Sequence, residues 1–357
     1  MRRALELAAK AEHRTSPNPM VGAVVLDKEG RVAGEGFHQR AGEAHAEPIA
    51  LEAAGERARG GTLYVTLEPC PHQGRTPPCV SAVIAAGVAR VVIALEDPDS
   101  KARGAGVAAL RAAGIAVEVG VEAAAATRLN EFYVKHRTVG LPFVTAKFAM
   151  SLDGKIATAG GESRWISGDA ARAEAHRMRR AHDAILVGVN TVLMDDPELT
   201  ARGEAGARQP LRVVVDSTLK TPATAQVAGP NTLIATTSAA SKKQASLLVE
   251  AHADVQTLPA AGGGVDLAAL LEALAARGVL SVLAEGGGEV LGDLFDRGLV
   301  DKVVAFIAPS VIGGRGAPIA VAGQGVEVLA KAARLVEVEV RLVGDDIMVS
   351  GYVQRHR

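Results

Sequence analysis

Aromatic side chains are scarce in this chain, 3% of 357 residues against 48% hydrophobic overall, so its cores must be built from Ala, Val, Leu and Ile. There are only two cysteines, which excludes a disulfide framework and with it the small secreted scaffold. No block of basic residues stands out and the formal net charge is -1, so the electrostatic footprint of a nucleic-acid binder is missing. No apolar run approaches the ~18 residues of a membrane span. The opening stretch Met1 to Lys10 is broken by Glu6 and Lys10 before a signal-like apolar core forms, and it reads as a first helix. A cytoplasmic chain with no membrane or nucleic-acid partner is expected, and a homo-oligomer is left open. At roughly 150 residues per domain, the length predicts two domains.

What is present is concentrated in His45-Ala46-Glu47 and in the stretch from Glu68-Pro69-Cys70 to Cys79. Zinc takes thiolate and imidazole ligands in a tetrahedral shell, and a catalytic site supplies three of them and leaves the fourth position open. His45, Cys70 and Cys79 fill the three places, and Glu47 is the spare carboxylate that moves protons. The bland alternative is two buried structural cysteines and an ordinary helical His-x-Glu. Both cysteines of the chain fall inside one motif, which weighs against it. H-x-E followed by P-C-x-x-C is an established signature of zinc nucleobase deaminases. Here eight residues separate the cysteines where the usual signature has two, which makes room for a protruding loop containing His72 and Arg75.

Along the chain, a helix is expected over 2–13, stopped by Ser16-Pro17-Asn18-Pro19, then a hairpin of strands over 21–26 and 31–36. Asn18 fits turn chemistry and substrate contact equally well. Helices over 44–58, 79–86 and 104–114 alternate with strands over 62–67, 91–95 and 117–119, which makes residues 1–140 a layered α/β unit. The pattern restarts near Arg137 to Pro142. Strands over 143–148, 184–187, 211–215, 232–235, 279–284 and 303–308, with helices over 170–180 and 266–277, make 141–357 a second α/β domain with a mainly parallel sheet. Residues 260–264 read as a flexible loop.

Glu285-Gly286-Gly287-Gly288-Glu289 follows an apolar strand and opens a helix, and a glycine turn at a helix N-terminus can cradle an anion. Thr191, Asp195 and Ser217 follow other strands, at the sheet end where open α/β sheets bind ligands. Each has a plain alternative: residues 195–197 as a turn, Trp165 as core, Arg179 as a solvated helix face. Together they point to a nucleotide and sugar-phosphate site.

With these residues named, the chain resembles the bifunctional riboflavin-biosynthesis deaminase/reductase family over nearly its whole length. The first half carries Pro17 to Gly22, His45-Ala46-Glu47 and the long Cys70 to Cys79 spacing. The second carries Ser151 to Lys155, Trp165-Ile166-Ser167, Val192 to Pro197 and Glu285-Gly286-Gly287. The resemblance implies a cytidine-deaminase-like zinc domain and a dihydrofolate-reductase-like domain, each of three layers. It also implies two steps on one small-molecule substrate, a ribosylated pyrimidine phosphate: hydrolytic deamination with Glu47 moving the protons, then reduction of the ribosyl group by NADPH. Ala149, Trp165, Thr191, Asp195, Ser217 and the run Gly287, Gly288, Glu289, Val290, Leu291, Gly292, Asp293 are implied to line the cofactor site. Ser163, Arg179, Leu199, Arg202 and Glu285 are implied to hold the substrate, with Lys147 a further candidate. Two alternatives stay open: a deaminase of other bases with an inert second domain, and a zinc scaffold closed by His72.

Overall fold

In a computed structural model, which describes residues 1–73, 77–100, 102–202 and 208–354, the chain separates into two compact units, Met1–Gly140 and Leu141–Arg357. The first runs α1 (Arg2–Ala9), β1 (Gly22–Leu26), β2 (Val32–Phe37), α2 (Ala46–Ala54), β3 (Thr62–Val65), α3 (Cys79–Ala86), β4 (Arg90–Ile93), α4 (Ala105–Ala112), β5 (Ala116–Val119), α5 (Ala123–Leu129) and α6 (Glu131–Val139). Its sheet has the order β2-β1-β3-β4-β5, antiparallel across β2, β1 and β3 and parallel from β3 to β5. Side chains alternate between faces along each strand. Val24 and Leu26 therefore pack with Ala4 and Leu7 of α1 on one face. On the other, Gly34 and Gly36 of β2 lie against the backbone of α2, where a Cβ would come within 2.2 Å of the Ala50 carbonyl oxygen and 2.6 Å of that of Ala46. Only glycine permits so close an approach. The first helix ends at Ala9, short of the expected His13, because Glu12 and His13 turn into the left-handed region and the Arg14 guanidinium bonds the carbonyls of Lys10 and Ala11.

The second unit runs β6 (Phe143–Ser151), α7 (Asp169–Ala181), β7 (Ala184–Gly188), α8 (Val189–Asp195), β8 (Leu211–Val215), β9 (Thr232–Thr236), α9 (Lys242–Glu250), β10 (Asp254–Thr257), β11 (Ala260–Ala261), β12 (Gly264–Val265), α10 (Leu267–Ala276), β13 (Ser281–Gly286), α11 (Gly288–Asp296), β14 (Lys302–Ala308), β15 (Leu335–Val343) and β16 (Asp346–Val353). One sheet in the order β10-β9-β8-β7-β13-β6-β14-β16-β15 is parallel up to β14 and antiparallel beyond it. Leucines of α10 and α11 fill one face, and Val192 of α8, Leu248 of α9 and Met178 of α7 fill the other. Four helices, α5, α6, α8 and α9, and three strands, β10, β15 and β16, lie in stretches for which the sequence suggested no element. The glycines at 262 and 263 are not a loose loop: both take positive φ and turn the β11-β12 hairpin. Among the described residues, no helix is long and apolar enough to cross a membrane.

Candidate metal centre and a second polar cluster

In the first unit, His45 is the N-cap of α2 and Glu47 stands in that helix's first turn, while Cys79 opens α3. The backbone contact between β2 and α2 fixes the first pair. Cys70 lies in the connection after β3, and its sulfur accepts the Cys79 N–H at 3.3 Å. The connection is tied down two residues earlier, because the buried Glu68 carboxylate accepts the N–H groups of Asp97 at 3.1 Å, Gly104 at 2.9 Å and Val107 at 3.0 Å.

His45 Nδ1 lies 3.1 Å from Cys79 Sγ and 3.7 Å from Cys70 Sγ, and the three donor atoms all fall within 4.8 Å of one another. Hydrogen bonding from Cys79 pulls the Cys70 thiol down to about 4, and the same bond, with burial, pushes the Cys79 thiol up. The two sulfurs and the imidazole nitrogen thus converge on one place. That donor set suits a soft, tetrahedral divalent cation, and it fits zinc. Glu47 is fully buried beside it, and loss of water pushes its carboxyl up to about 7, within the range a proton carrier needs. His72 is exposed and not in the group, so among the described residues the shell is not closed by a fourth protein ligand. Arg75 lies outside the described residues.

One neighbour escaped the sequence reading. His38, just past β2, sits with its ring 5.2 Å from that of His45, takes Asn18 Nδ2 at 3.1 Å on Nε2 and reaches the Ala44 carbonyl at 3.0 Å through Nδ1. The Nδ1 proton faces a carbonyl, so Nε2 accepts from the Asn18 amide. The reading of Asn18 as turn chemistry therefore leaves out this polar contact.

In the second unit, Arg179 is not on a solvated face. Its guanidinium holds both oxygens of Glu285 at 2.7 Å, a fork-to-fork pair, and reaches the Thr200 carbonyl at 3.3 Å. Lys147 Nζ lies 4.0 Å from the same carboxylate. Burial alone would raise the Glu285 carboxyl, but Arg179 and Lys147 outweigh it and hold the group below its usual range. Burial lowers the Lys147 ammonium.

In the same unit, Ser163 donates to Asp195 Oδ1 at 2.6 Å, and the Arg164 guanidinium bonds the Asp195 carbonyl. Thr191 lies against the glycine turn, with its hydroxyl 3.6 Å from where a Gly287 Cβ would sit. Trp165 is not core: it is 69% exposed with the Arg172 guanidinium 4.5 Å from its ring centre. Asp195 ends α8, so residues 195–197 are a helix terminus as well as a turn.

The remaining expected residues have the following surroundings. The Leu199 side chain is buried in the core, which leaves only its backbone, at positive φ, to meet a ligand. Leu291 is likewise core and its N–H bonds the Gly287 carbonyl, while a Cβ on Gly288 or Gly292 would strike the 319–323 segment. Val290 packs on Gly188, Asp293 pairs with Arg297 at 2.7 Å and Glu289 is exposed. The glycines at 288 and 292 thus serve packing, and Gly287, at φ +78, serves the turn. Arg202 is exposed and paired with Glu198 at 2.8 Å. Ala149 is half-buried on β6, and Ser217, past β8, gives its carbonyl to the Thr237 hydroxyl at 2.8 Å. His176 and Thr200, beside Arg179, carried no sequence signal.

Comparison with known proteins follows the same division. Residues 1–95 match the cytidine and deoxycytidylate deaminase zinc-binding region, and residues 142–349 match the RibD C-terminal domain. The chain is 42% identical to riboflavin biosynthesis protein RibD of Aquifex aeolicus, over 98% of its own length and 96% of the relative's, and 41% identical to that of Escherichia coli over 97% and 96%. Its structure is similar to RibD of Acinetobacter baumannii, with a TM-score of 0.89 at 35% identity, covering 99% of this chain and 98% of the other. It is also similar to a diaminohydroxyphosphoribosylaminopyrimidine deaminase/5-amino-6-(5-phosphoribosylamino)uracil reductase of Thermotoga maritima, with a TM-score of 0.86 at 35% identity over 99% and 97%. A cytidine-deaminase-like unit joined to a RibD reductase unit, matched end to end at this identity, has one meaning: the chain belongs to the RibD family of riboflavin-biosynthesis proteins.

Proposed function

We propose that His45, Cys70, Cys79 and Glu47 carry out the first reaction of this bifunctional riboflavin-biosynthesis enzyme, and that the Arg179–Glu285 cluster holds the substrate for the second. The first reaction is hydrolytic deamination of 2,5-diamino-6-(5-phosphoribosylamino)pyrimidin-4-one. The second is NADPH reduction of the ribosyl group of the resulting 5-amino-6-(5-phosphoribosylamino)uracil to ribityl. The observation that carries the reading is the convergence of three metal donors within 4.8 Å beside a buried carboxylate.

Zinc held by the three donors supplies a Lewis acid that makes water attack feasible at neutral pH. Glu47 does the rest of the proton work. Buried, with its carboxyl near 7, it can take a proton from the attacking water and return it to the leaving nitrogen, so that ammonia departs and a carbonyl remains. His38 and Asn18 present an imidazole and an amide beside the metal donors, where they can orient the pyrimidine.

For the second step the cofactor supplies a hydride to the ribosyl carbon. The N–H groups opening α11 lack intrahelical partners and lie next to the Gly287 turn and the Thr191 hydroxyl, which suits the cofactor's phosphates. Trp165, Asp195, Ser217 and Ala149 complete the proposed cofactor lining. Ser163, Arg179, Arg202, Glu285 and the Leu199 backbone would hold the ribosyl phosphate, with Lys147 behind them. A thiolate-rich site belongs in a reducing compartment, and the cytoplasm is the reading we favour. With no basic block in the sequence, nucleic acid is not among the expected partners.

The test is direct. Purified chain is incubated with the diaminopyrimidine ribosyl phosphate, with and without NADPH, and the products are identified. Ammonia release without NADPH and a ribityl product only with it are expected. Ammonia release with no NADPH consumption would leave a lone deaminase.

A further inference from the structure

Asn130 stands at the junction of α5 and α6, closing the first helix and preceding the second. An asparagine in front of a helix ordinarily spends its side chain on the N–H groups of the first turn, but this one makes no such bond. Its carboxamide instead brackets a single backbone residue 110 positions earlier: the Met20 N–H donates to Oδ1 at 2.7 Å, and Nδ2 donates to the Met20 carbonyl at 2.9 Å. Both residues are 4% exposed. Met20 comes just before β1, and the pairing of β1 with β2 and β3 begins only beyond it. The Asn130 amide thus takes the place of a strand partner for Met20.

We infer that Asn130 is a positioning residue for the deamination and acts through Asn18. The path between them is short. Only Pro19 separates Asn18 from Met20, and its ring fixes φ, so little slack lies between the clamped peptide and the Asn18 side chain. Beyond Met20 the chain is held by the sheet itself: the Val21 carbonyl accepts the His38 N–H at 2.9 Å, and the Gly22 N–H donates to the Thr66 hydroxyl oxygen at 3.1 Å. Asn130 adds the tie nearest Asn18, whose amide meets His38 Nε2 at 3.1 Å beside the ring of the metal donor His45. With Met20 released, the Asn18 amide keeps its chemistry and loses its direction. The inference rests on the reading of Asn18 as a group that orients the pyrimidine, and the experiment separates the two.

Ammonia release by the purified full chain is measured across substrate concentrations for Asn18→Ala, Asn130→Ala and the double variant. Each single variant is expected to lose roughly tenfold in kcat/KM, the scale of one neutral hydrogen bond to substrate, with KM raised and kcat nearly kept. Because one residue acts through the other, the double variant should lose the same factor, whereas independent effects would multiply to roughly a hundredfold. Zinc content should match wild type in all three, and NADPH oxidation with the deaminated intermediate should be unchanged. Where Asn130→Ala fails to hold zinc, Asn130→Asp takes its place, since it keeps the acceptor for the Met20 N–H and loses only the donor to the Met20 carbonyl. An Asn18→Ala chain that deaminates normally removes the orienting role of Asn18 and the inference with it. A slowed Asn18→Ala beside an undiminished Asn130→Ala leaves that role standing and overturns the inference alone. So do losses that multiply, or zinc lost from both Asn130 variants, since either makes Asn130 a support of the fold and nothing more.

Discussion

Replacing Glu285 by Gln keeps its size and one acceptor oxygen but removes the charge that two buried cations face. The carboxylate takes two hydrogen bonds of 2.7 Å from Arg179 and has Lys147 at 4.0 Å, with 4% of its side chain exposed. Breaking a buried pair on one side costs about 3–5 kcal/mol, because the remaining charge stays out of water without its partner. Lys147 stands farther off, at 4.0 Å against 2.7 Å for Arg179, which leaves Arg179 as the main orphan. The lower end, about 3 kcal/mol, is therefore expected, which for a unit of this size lowers the melting midpoint by roughly 6–12 °C. Scanning calorimetry reads that shift. Two activity assays locate it: ammonia release from the diamino substrate should stay at the wild-type rate, and NADPH oxidation with the deaminated intermediate should fall at least ~100-fold, since an oriented charge in a site contributes on that scale. A midpoint within about 1 °C of wild type together with undiminished reduction would refute the reasoning, because a buried, paired carboxylate cannot be lost at no cost.

Other perturbations separate the remaining roles. Glu47→Gln matches the shape of the carboxyl but cannot carry a proton, so zinc content should hold while deamination drops by ~10²–10⁴ and reduction of the deaminated intermediate continues. Equal loss in both assays would mean that Glu47 supports only the fold. Cys79→Ser removes one of three donors, and metal analysis after dialysis should show zinc lost; full retention would take Cys79 out of the shell. His182 is buried, its Nδ1–H on the Met178 carbonyl at 2.8 Å and its Nε2 accepting from Thr145, and burial lowers its pKa to about 4. Below the unfolded value of 6.5 the unfolded chain binds a proton that the folded chain refuses. Stability from this group is thus full above about pH 6.5 and is lost as pH falls toward 4, up to about 3 kcal/mol. Unfolding curves at pH 7.5 and 5 should diverge less in His182→Gln than in wild type, and equal divergence would clear His182 of the effect.

The metal ligands were legible because their chemistry is local in sequence: two cysteines and an H-x-E triplet leave few combinations. Helix α3 was legible to the residue, since Cys79 follows a proline and Gly87 caps it at φ +68. Arg179 was not. On α7 it looks like any surface arginine, and what gives it a role is Glu285, 106 positions away and brought beside it by the β7-β13 pairing. His38 escaped for the same reason, its meaning depending on where β2 lays it against the N-cap of α2. Within the run from Gly287 to Asp293, helical periodicity turns the Leu291 side chain inward and packs Gly292 against the 319–323 segment, so a cofactor would meet this run through its backbone, which the sequence does not reveal. β15 was missed because alternate Val and Glu with both faces in water reads as a polar segment, and only its pairing with β16 makes it a strand.

The way Glu68 is held bears on how the deaminase unit can change over time. Its three donors are main-chain N–H groups, supplied by positions 97, 104 and 107 whatever side chains stand there. Among the described residues, the side chains that constrain the stretch are few: Gly104 at φ +75, Gly106, whose Cβ would lie 2.2 Å from the Pro69 carbonyl oxygen, the buried Ala102 and Val107, and Asp97, whose carboxylate takes the Asp99 N–H and the Tyr133 hydroxyl. Substitutions at the exposed positions there leave the three donors in place, and the substitution that would loosen the metal centre is proline at a donating position, which deletes the N–H itself.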